Sequence, residues 1–189
     1  MDRFRNTRLP DQDAWRSDWP APVDVFDALG LDAGSSLAVV CAGAGHLALP
    51  AATHLSPGTV YAVDRDGTVA DELEALALEQ GVENLVTIAA GANVFAAELP
   101  HRVDAVLIAD ALGALDAPTA FAEQASRALR PGGQLLVVDR RPGGAADETG
   151  QLTPDAARRR VAIAGFEPVR EVELSSDRYG LVFERAHDR

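Results

Sequence analysis

Lysine is absent from this 189-residue chain: all 17 basic residues are arginine, set against 29 Asp and Glu, for a formal net charge of −12. Such a chain repels phosphate backbones and anionic membrane surfaces, which excludes nucleic acid and bilayers as first partners and leaves a small molecule. Cysteine occurs once, as Cys41, so no internal disulfide can form, and four histidines without CxxC or HxxxH spacing give no metal signature. No run approaches the roughly 18 to 20 apolar residues of a membrane-spanning helix. The opening MDRFRNTRLPDQD lacks the apolar segment of a secretion signal, so a soluble, cytoplasmic protein is expected. With 47% apolar residues the chain can bury one sizeable core, and residues 1–189 are read as a single domain, a monomer or homodimer.

What is present is an alternation of short β-branched runs with amphipathic stretches, the pattern of successive βα units. Strands are expected at Leu37 to Ala42, Thr59 to Val63, Leu85 to Ala89, Val103 to Ala109 and Gln134 to Val138. Between them, Val69, Leu73 and Leu76 form one helical face that stops at Gly81. A second helix follows Asp116 and Pro118, with Phe121, Ala125 and Leu129 four apart, and a third is capped by Thr153 with Pro154 at its first position. Past Gly165, Val169 to Leu174 and Tyr179 to Phe183 flank the turn Ser175-Ser176-Asp177-Arg178 with no helix between, which predicts a terminal hairpin.

The segment richest in chemistry is Ala38-Val39-Val40-Cys41-Ala42-Gly43-Ala44-Gly45-His46, a strand running into a glycine turn. Glycines at 43 and 45 remove Cβ atoms where the backbone bends and where a ligand approaches. Asp64 ends the next strand, 19 residues past Gly45 (64 − 45), a spacing that suits a carboxylate accepting from ribose hydroxyls. Gly43-x-Gly45-x-x-Ala48 also fits the dinucleotide fingerprint, so the pair specifies a ribonucleoside without saying which. The bland alternative is a tight turn with Asp64 capping the following helix.

Further on, Ser126-Arg127-Ala128-Leu129-Arg130-Pro131-Gly132-Gly133 leads into Gln134-Leu135-Leu136-Val137-Val138-Asp139, with Pro131 expected to stop the helix and the glycines to turn the chain back. This resembles the segment before the fifth strand of class I S-adenosylmethionine-dependent methyltransferases. From Leu37 to Phe183 the order of motifs is similar to the small UbiE- or arsenite-methyltransferase-like members of that family. The acidic, lysine-free composition likewise resembles proteins of halophilic archaea, in which salt screens self-repulsion.

The resemblance implies an α/β, Rossmann-like doubly wound sheet of seven strands, mostly parallel, in the order 3-2-1-4-5-7-6 with strand seven antiparallel. Residues 31–189 would form the core and 1–30 a helical capping segment. It implies S-adenosylmethionine as cofactor, with Ala42, Gly43, Ala44 and Gly45 against its methionine and ribose portions. Asp64 would hold the ribose hydroxyls, Arg65 would flank the adenine, and Asp110 would line the methionine and substrate end. Ala92 and Asn93 take the place near the adenine amino group, where the family often has an acid; the Asn93 amide oxygen can accept there. No catalytic base is identified.

Val39 and Cys41 stand where the family commonly has an acid and a glycine, which keeps open a non-catalytic or regulatory relative with a degenerate pocket. A nicotinamide-dependent oxidoreductase is a third reading, disfavoured by Pro131-Gly132-Gly133 and the hairpin. Cys41 and His46 flank the turn but are read as an apolar residue and a neighbour rather than a dyad. Trp15 and Trp19, behind Arg3, Arg5 and Arg8, would cap the cleft or a sheet edge, Arg140-Arg141-Pro142-Gly143-Gly144 would form a lid, and Arg158-Arg159-Arg160 a solvated helix face.

Overall fold

The computed structural model describes residues 21–142 and 151–185, so Trp15, Trp19 and the glycines of the expected lid, Gly143 and Gly144, lie outside the described residues. The first element is helix α1 (Pro22–Leu29), which ends at Gly30 in the left-handed conformation. Strand β1 (Leu37–Val40), helix α2 (Ala48–Leu55), strand β2 (Val60–Asp64), helix α3 (Gly67–Glu79) and strand β3 (Leu85–Ala89) then alternate as the periodicity predicts. Strand β4 (Val103–Ala109), helix α4 (Pro118–Ala128), strand β5 (Leu129–Arg140) and helix α5 (Pro154–Ala162) continue the series. The hairpin of β6 (Phe166–Ser175) and β7 (Arg178–Arg185) closes it.

Among the described residues these strands form one sheet in the order β3-β2-β1-β4-β5-β7-β6. β1 pairs in parallel with both β2 and β4, and β7 runs antiparallel to β5 and β6. This is the doubly wound order expected from the sequence. The chain reverses its winding between β1 and β4, and ligands of open α/β sheets bind outside the strand ends at such a switch point.

Strand alternation sorts the core into two layers. Val40, Val63, Ile108, Val137 and Leu181 meet Phe121 of α4 and Val161 of α5 on one face. Val39, Ala62, Leu107, Val138 and Val182 meet Phe26 of α1, Leu55 of α2 and Leu73 of α3 on the other. Helix ends follow local chemistry: the Asp66 carboxylate accepts the Thr68 N–H at the start of α3, and the Thr153 hydroxyl accepts the Ala156 N–H at the start of α5. Asp66, not Asp64, is therefore the cap of α3. No described helix is long and apolar enough to cross a membrane.

One local expectation is corrected. Helix α4 ends at Ala128, before Pro131, and β5 already begins at Leu129. The residue preceding a proline is driven out of the helical region, so extension starts early. Pro131-Gly132-Gly133 is thus a bulge within β5: Val103 pairs with Leu129, but Ala105 pairs with Gln134. Polar contacts pin this bulge to the strand starts. Asp104 Oδ2 accepts the N–H and hydroxyl of Ser36 (2.7 and 2.9 Å), while Arg130 Nη1 lies 2.7 Å from Asp104 Oδ1.

Replacing Asp104 by Ala leaves a partly buried amide and hydroxyl without their acceptor, and should cost about 1–3 kcal/mol of stability. Urea unfolding should show a lower midpoint with an unchanged slope.

Candidate functional site

At the C-terminal edge of β1 the backbone changes hand at three positions: Cys41 (φ 60°), Gly43 (φ 51°) and Gly45 (φ 82°). Gly45 faces inward, where an added Cβ would fall 2.3 Å from Leu73 Cδ1, so the turn packs tightly onto α3. At Gly43 a Cβ would meet nothing within 4 Å, so this residue presents bare backbone to open space. Cys41 occupies a left-handed conformation that glycine adopts without strain and that costs another residue about 1–2 kcal/mol.

Asp64 lies level with this turn because the parallel register sets Val40 beside Val63. Its Oδ2 accepts the Gly43 N–H (2.9 Å) and its Oδ1 accepts the Asp66 N–H (3.1 Å). A carboxylate offers about four acceptor positions. Two N–H bonds therefore orient this one and leave capacity for ligand hydroxyls.

Beside Asp64 opens a cavity of about 270 Å³, near the ~300 Å³ lower end of small-ligand sites. Cys41, Asp64, Arg65 and Asp66 form one wall, Ala90 to Asn93 after β3 a second, and Ala114 to Ala117 before α4 the third. Of the residues singled out from sequence, the cavity brings together Asp64, Arg65, Ala92 and Asn93. Gly43 reaches it through the Asp64 carboxylate, whereas Ala42, Ala44, Gly45 and Asp110 are not among its lining residues. Asp66, Asp116 and Cys41 line it without having been foreseen. For Cys41 the signal was present, since a position at which relatives favour glycine is one that needs a left-handed backbone.

Asp110 stands after β4 with φ 51°, and its N–H is held by the Val138 carbonyl (2.9 Å). Its carboxylate takes Nη1 of Arg178, a residue fully buried in β7, through Oδ1 and, at 2.6 Å, through Oδ2. This pairing spans 68 residues, and nothing in the local pattern around the hairpin turn marks Arg178 for it. His46 sits close enough to Asp110 to feel its charge, although burial holds the imidazole below its ordinary pKa.

A family profile described as a methyltransferase domain matches residues 38–133, from within β1 to the end of the Pro-Gly-Gly bulge. The chain belongs to the methyltransferase domain family. That membership makes it a transferase, and the cofactor of such domains is S-adenosylmethionine. No curated protein matches it by sequence.

Among solved structures, a SAM-dependent methyltransferase from Aquifex aeolicus is similar at TM-score 0.78 and 21% identity, covering 92% of this chain and 97% of that one. The geranyl diphosphate C-methyltransferase of Streptomyces coelicolor, solved with Mg²⁺, geranyl diphosphate and S-adenosylhomocysteine, is similar at TM-score 0.72 and 15% identity, covering 87% and 78%. The [4+2]-cyclase SpnF is similar at TM-score 0.75 and 17% identity, covering 88% and 81%. These likenesses show the class I methyltransferase fold.

The residues present fit that cofactor. An oriented carboxylate faces the cavity, and the backbone at Gly43 carries no side chain that would fill the space before it.

Burial, and then the Asp64 charge, push the Cys41 thiol up to about 12. At pH 8 its thiolate fraction is then on the order of 10⁻⁴, against roughly a quarter for an ordinary cysteine. Alkylation by iodoacetamide, followed by intact-mass spectrometry on this single-cysteine chain, should run on the order of 10³-fold slower than for free cysteine and should accelerate up to pH 10.

Proposed function

We propose that this methyltransferase binds S-adenosylmethionine in the cavity at Asp64 and transfers its methyl group to a small-molecule acceptor. The observation that carries the cofactor's placement is the Asp64 carboxylate, fixed by the Gly43 and Asp66 amides at the rim of that cavity. In this reading Asp64 accepts from the ribose hydroxyls, Arg65 flanks the adenine, and Ala92 and Asn93 close over its edge. Ala42 to Gly45 and Asp110 lie toward the methionine end.

A small-molecule acceptor is supported by a net charge of −12, which disfavours polyanions. It is also supported by the geranyl diphosphate enzyme, a similar fold crystallised with a small molecule. We read residues 1–189 as one domain of the small UbiE-like type, with 31–189 as its core. The acidic composition and the absence of lysine support a salt-adapted protein, and we read it as cytoplasmic.

When bound, S-adenosylmethionine supplies a methyl group already activated on a sulfonium, so no protein nucleophile is required. The chain's own residues then have three tasks: to grip the nucleoside, to hold the acceptor in line, and to keep water out.

A second reading, a non-catalytic or regulatory relative with a degenerate nucleoside pocket, is favoured by one observation: Asp110, at the edge nearest the expected reacting end, is committed to Arg178. Calorimetric titration in molar salt with S-adenosylmethionine, S-adenosylhomocysteine and NAD separates the readings. Binding of a sulfur nucleoside with no response to NAD is the expected result. Silence from both sulfur nucleosides would overturn the assignment. Asp64→Ala should weaken that binding about 10- to 100-fold, the scale of one or two lost charge-assisted hydrogen bonds, and an unchanged affinity would remove the ribose from this carboxylate.

A further inference from the structure

Beyond the cavity, the tips of β4, β5 and β7 hold a polar group that nucleoside binding at Asp64 does not use. Asp139, near the end of β5, is 4% exposed; its Oδ1 accepts the Arg140 N–H (2.8 Å), while its Oδ2 is buried with no hydrogen-bond partner among the described residues. Nearly every buried carboxylate oxygen in a folded protein is satisfied, so an orphan here needs a reason. Asp110 sits alongside, held by the carbonyl of Val138, the residue preceding Asp139, and it already takes the buried Arg178 guanidinium. Arg178 enters from β7 opposite Arg140, one register step from the pair Asp139 and Tyr179. Asp110 alone pairs with the guanidinium, while Asp139 makes no ion pair with Arg178 but lies close enough to feel the charges of both.

We propose that Asp139 is a positioning residue whose charge, added to that of the nearby Asp110–Arg178 pair, sets the preference of the neighbouring methionine end for a cationic ligand over a neutral one. The proposal rests on the functional reading above. With Asp139 protonated, the trio of Asp110, Arg178 and Asp139 is neutral. With it ionised, the trio carries one net negative charge at the sheet edge just past the end of β4, where Asp110 pairs with Arg178.

S-adenosylmethionine carries one more positive charge than S-adenosylhomocysteine, because the sulfonium becomes a thioether once the methyl group has left. An ionised Asp139 therefore favours holding the donor and releasing the spent product. Burial lifts the Asp139 carboxyl to about 7, with the Asp110 charge adding to the rise and the Arg140 amide, Arg178 and Arg140 charge opposing it, so the change falls in the working range. Of the other groups facing it, Tyr179 is pushed up and stays neutral. His46, beyond Asp110, is held down and loses its charge at lower pH.

The sign for stability follows. A carboxyl whose folded pKa lies above its unfolded value penalises the fold increasingly as pH climbs from about 4 to about 7, and by a constant amount above. Asp139→Asn should therefore melt several degrees higher than wild type at pH 8 and near it at pH 4.5, which also establishes that the variant folds.

The deciding experiment is the ratio of dissociation constants, S-adenosylhomocysteine over S-adenosylmethionine, measured by calorimetry from pH 5.5 to 8.5 at one salt concentration. The amino and carboxyl groups common to both ligands cancel in that ratio. It should rise roughly three- to tenfold across pH 7 in wild type, the scale of one partly screened unit charge. The rise should persist in His46→Gln and vanish in Asp139→Asn. Wild type should also release protons on binding S-adenosylmethionine at pH 7, counted in two buffers of different ionisation enthalpy. A flat ratio in wild type, or an undiminished slope in Asp139→Asn, overturns the proposal while leaving the cofactor assignment intact. Failure of both ligands to bind at any pH overturns the functional reading and this inference together.

Discussion

A single carboxylate, Asp64, ties the end of β2 to the turn that leaves β1, and the cavity beside it depends on that tie. The Gly43 amide reaches its Oδ2 only because the parallel register brings Val63 beside Val40, so that both chains leave the sheet at the same level. The turn can offer that amide because its backbone takes left-handed conformations at 41, 43 and 45. Ligand capacity at this edge is thus a consequence of register first and of residue identity second: any slip between β1 and β2 would part the carboxylate from the amide and turn every core side chain to the wrong face.

Much of this was legible in the sequence. The runs ending at Val40, Val63 and Ala109 are almost uniformly apolar, as strands covered on both faces must be, and the missing helix between Val172 and Leu181 required a hairpin. Asp64 was legible for the same reason, as an acid at a strand end at a fixed distance from a glycine turn. The bulge at Pro131 was not, because Pro-Gly-Gly reads locally as a stop and turn, and only the pairing of Val103 with Leu129 reveals that the strand has already begun. Arg178 escaped for a related reason: a residue in a hairpin turn looks solvated, and its partner stands 68 positions away on a strand brought near by the sheet order.

Fold and chemistry separate at the strand tips. The same architecture is found in a SAM-dependent methyltransferase and in a protein named as a [4+2]-cyclase. What distinguishes such relatives must lie in the loops and side chains around the strand tips, since the sheet is common to them. In this chain those tips divide into two electrostatic regions. Near β1, β2 and β3 an oriented carboxylate borders a cavity, whereas near β4, β5 and β7 a buried arginine pairs with half-buried Asp110 and a second, buried carboxylate, Asp139, stands nearby. The first region suits recognition by hydrogen bonds, the second suits a response to charge.

The departures from the family pattern at Val39 and Cys41 take on a different meaning once placed. Val39 is 3% exposed within the apolar layer against α1, α2 and α3, where an acid would be an uncompensated buried charge rather than a ligand contact. Cys41 keeps the left-handed backbone that a glycine would adopt there, and its small side chain packs on the opposite apolar layer while bordering the cavity. Burial and the adjacent Asp64 keep the thiol neutral, so it adds no charge that would compete with that carboxylate for a ligand. The substitutions therefore cost local backbone strain and a small part of the cavity, and leave the interaction on which the site depends, Asp64 with the Gly43 amide, in place.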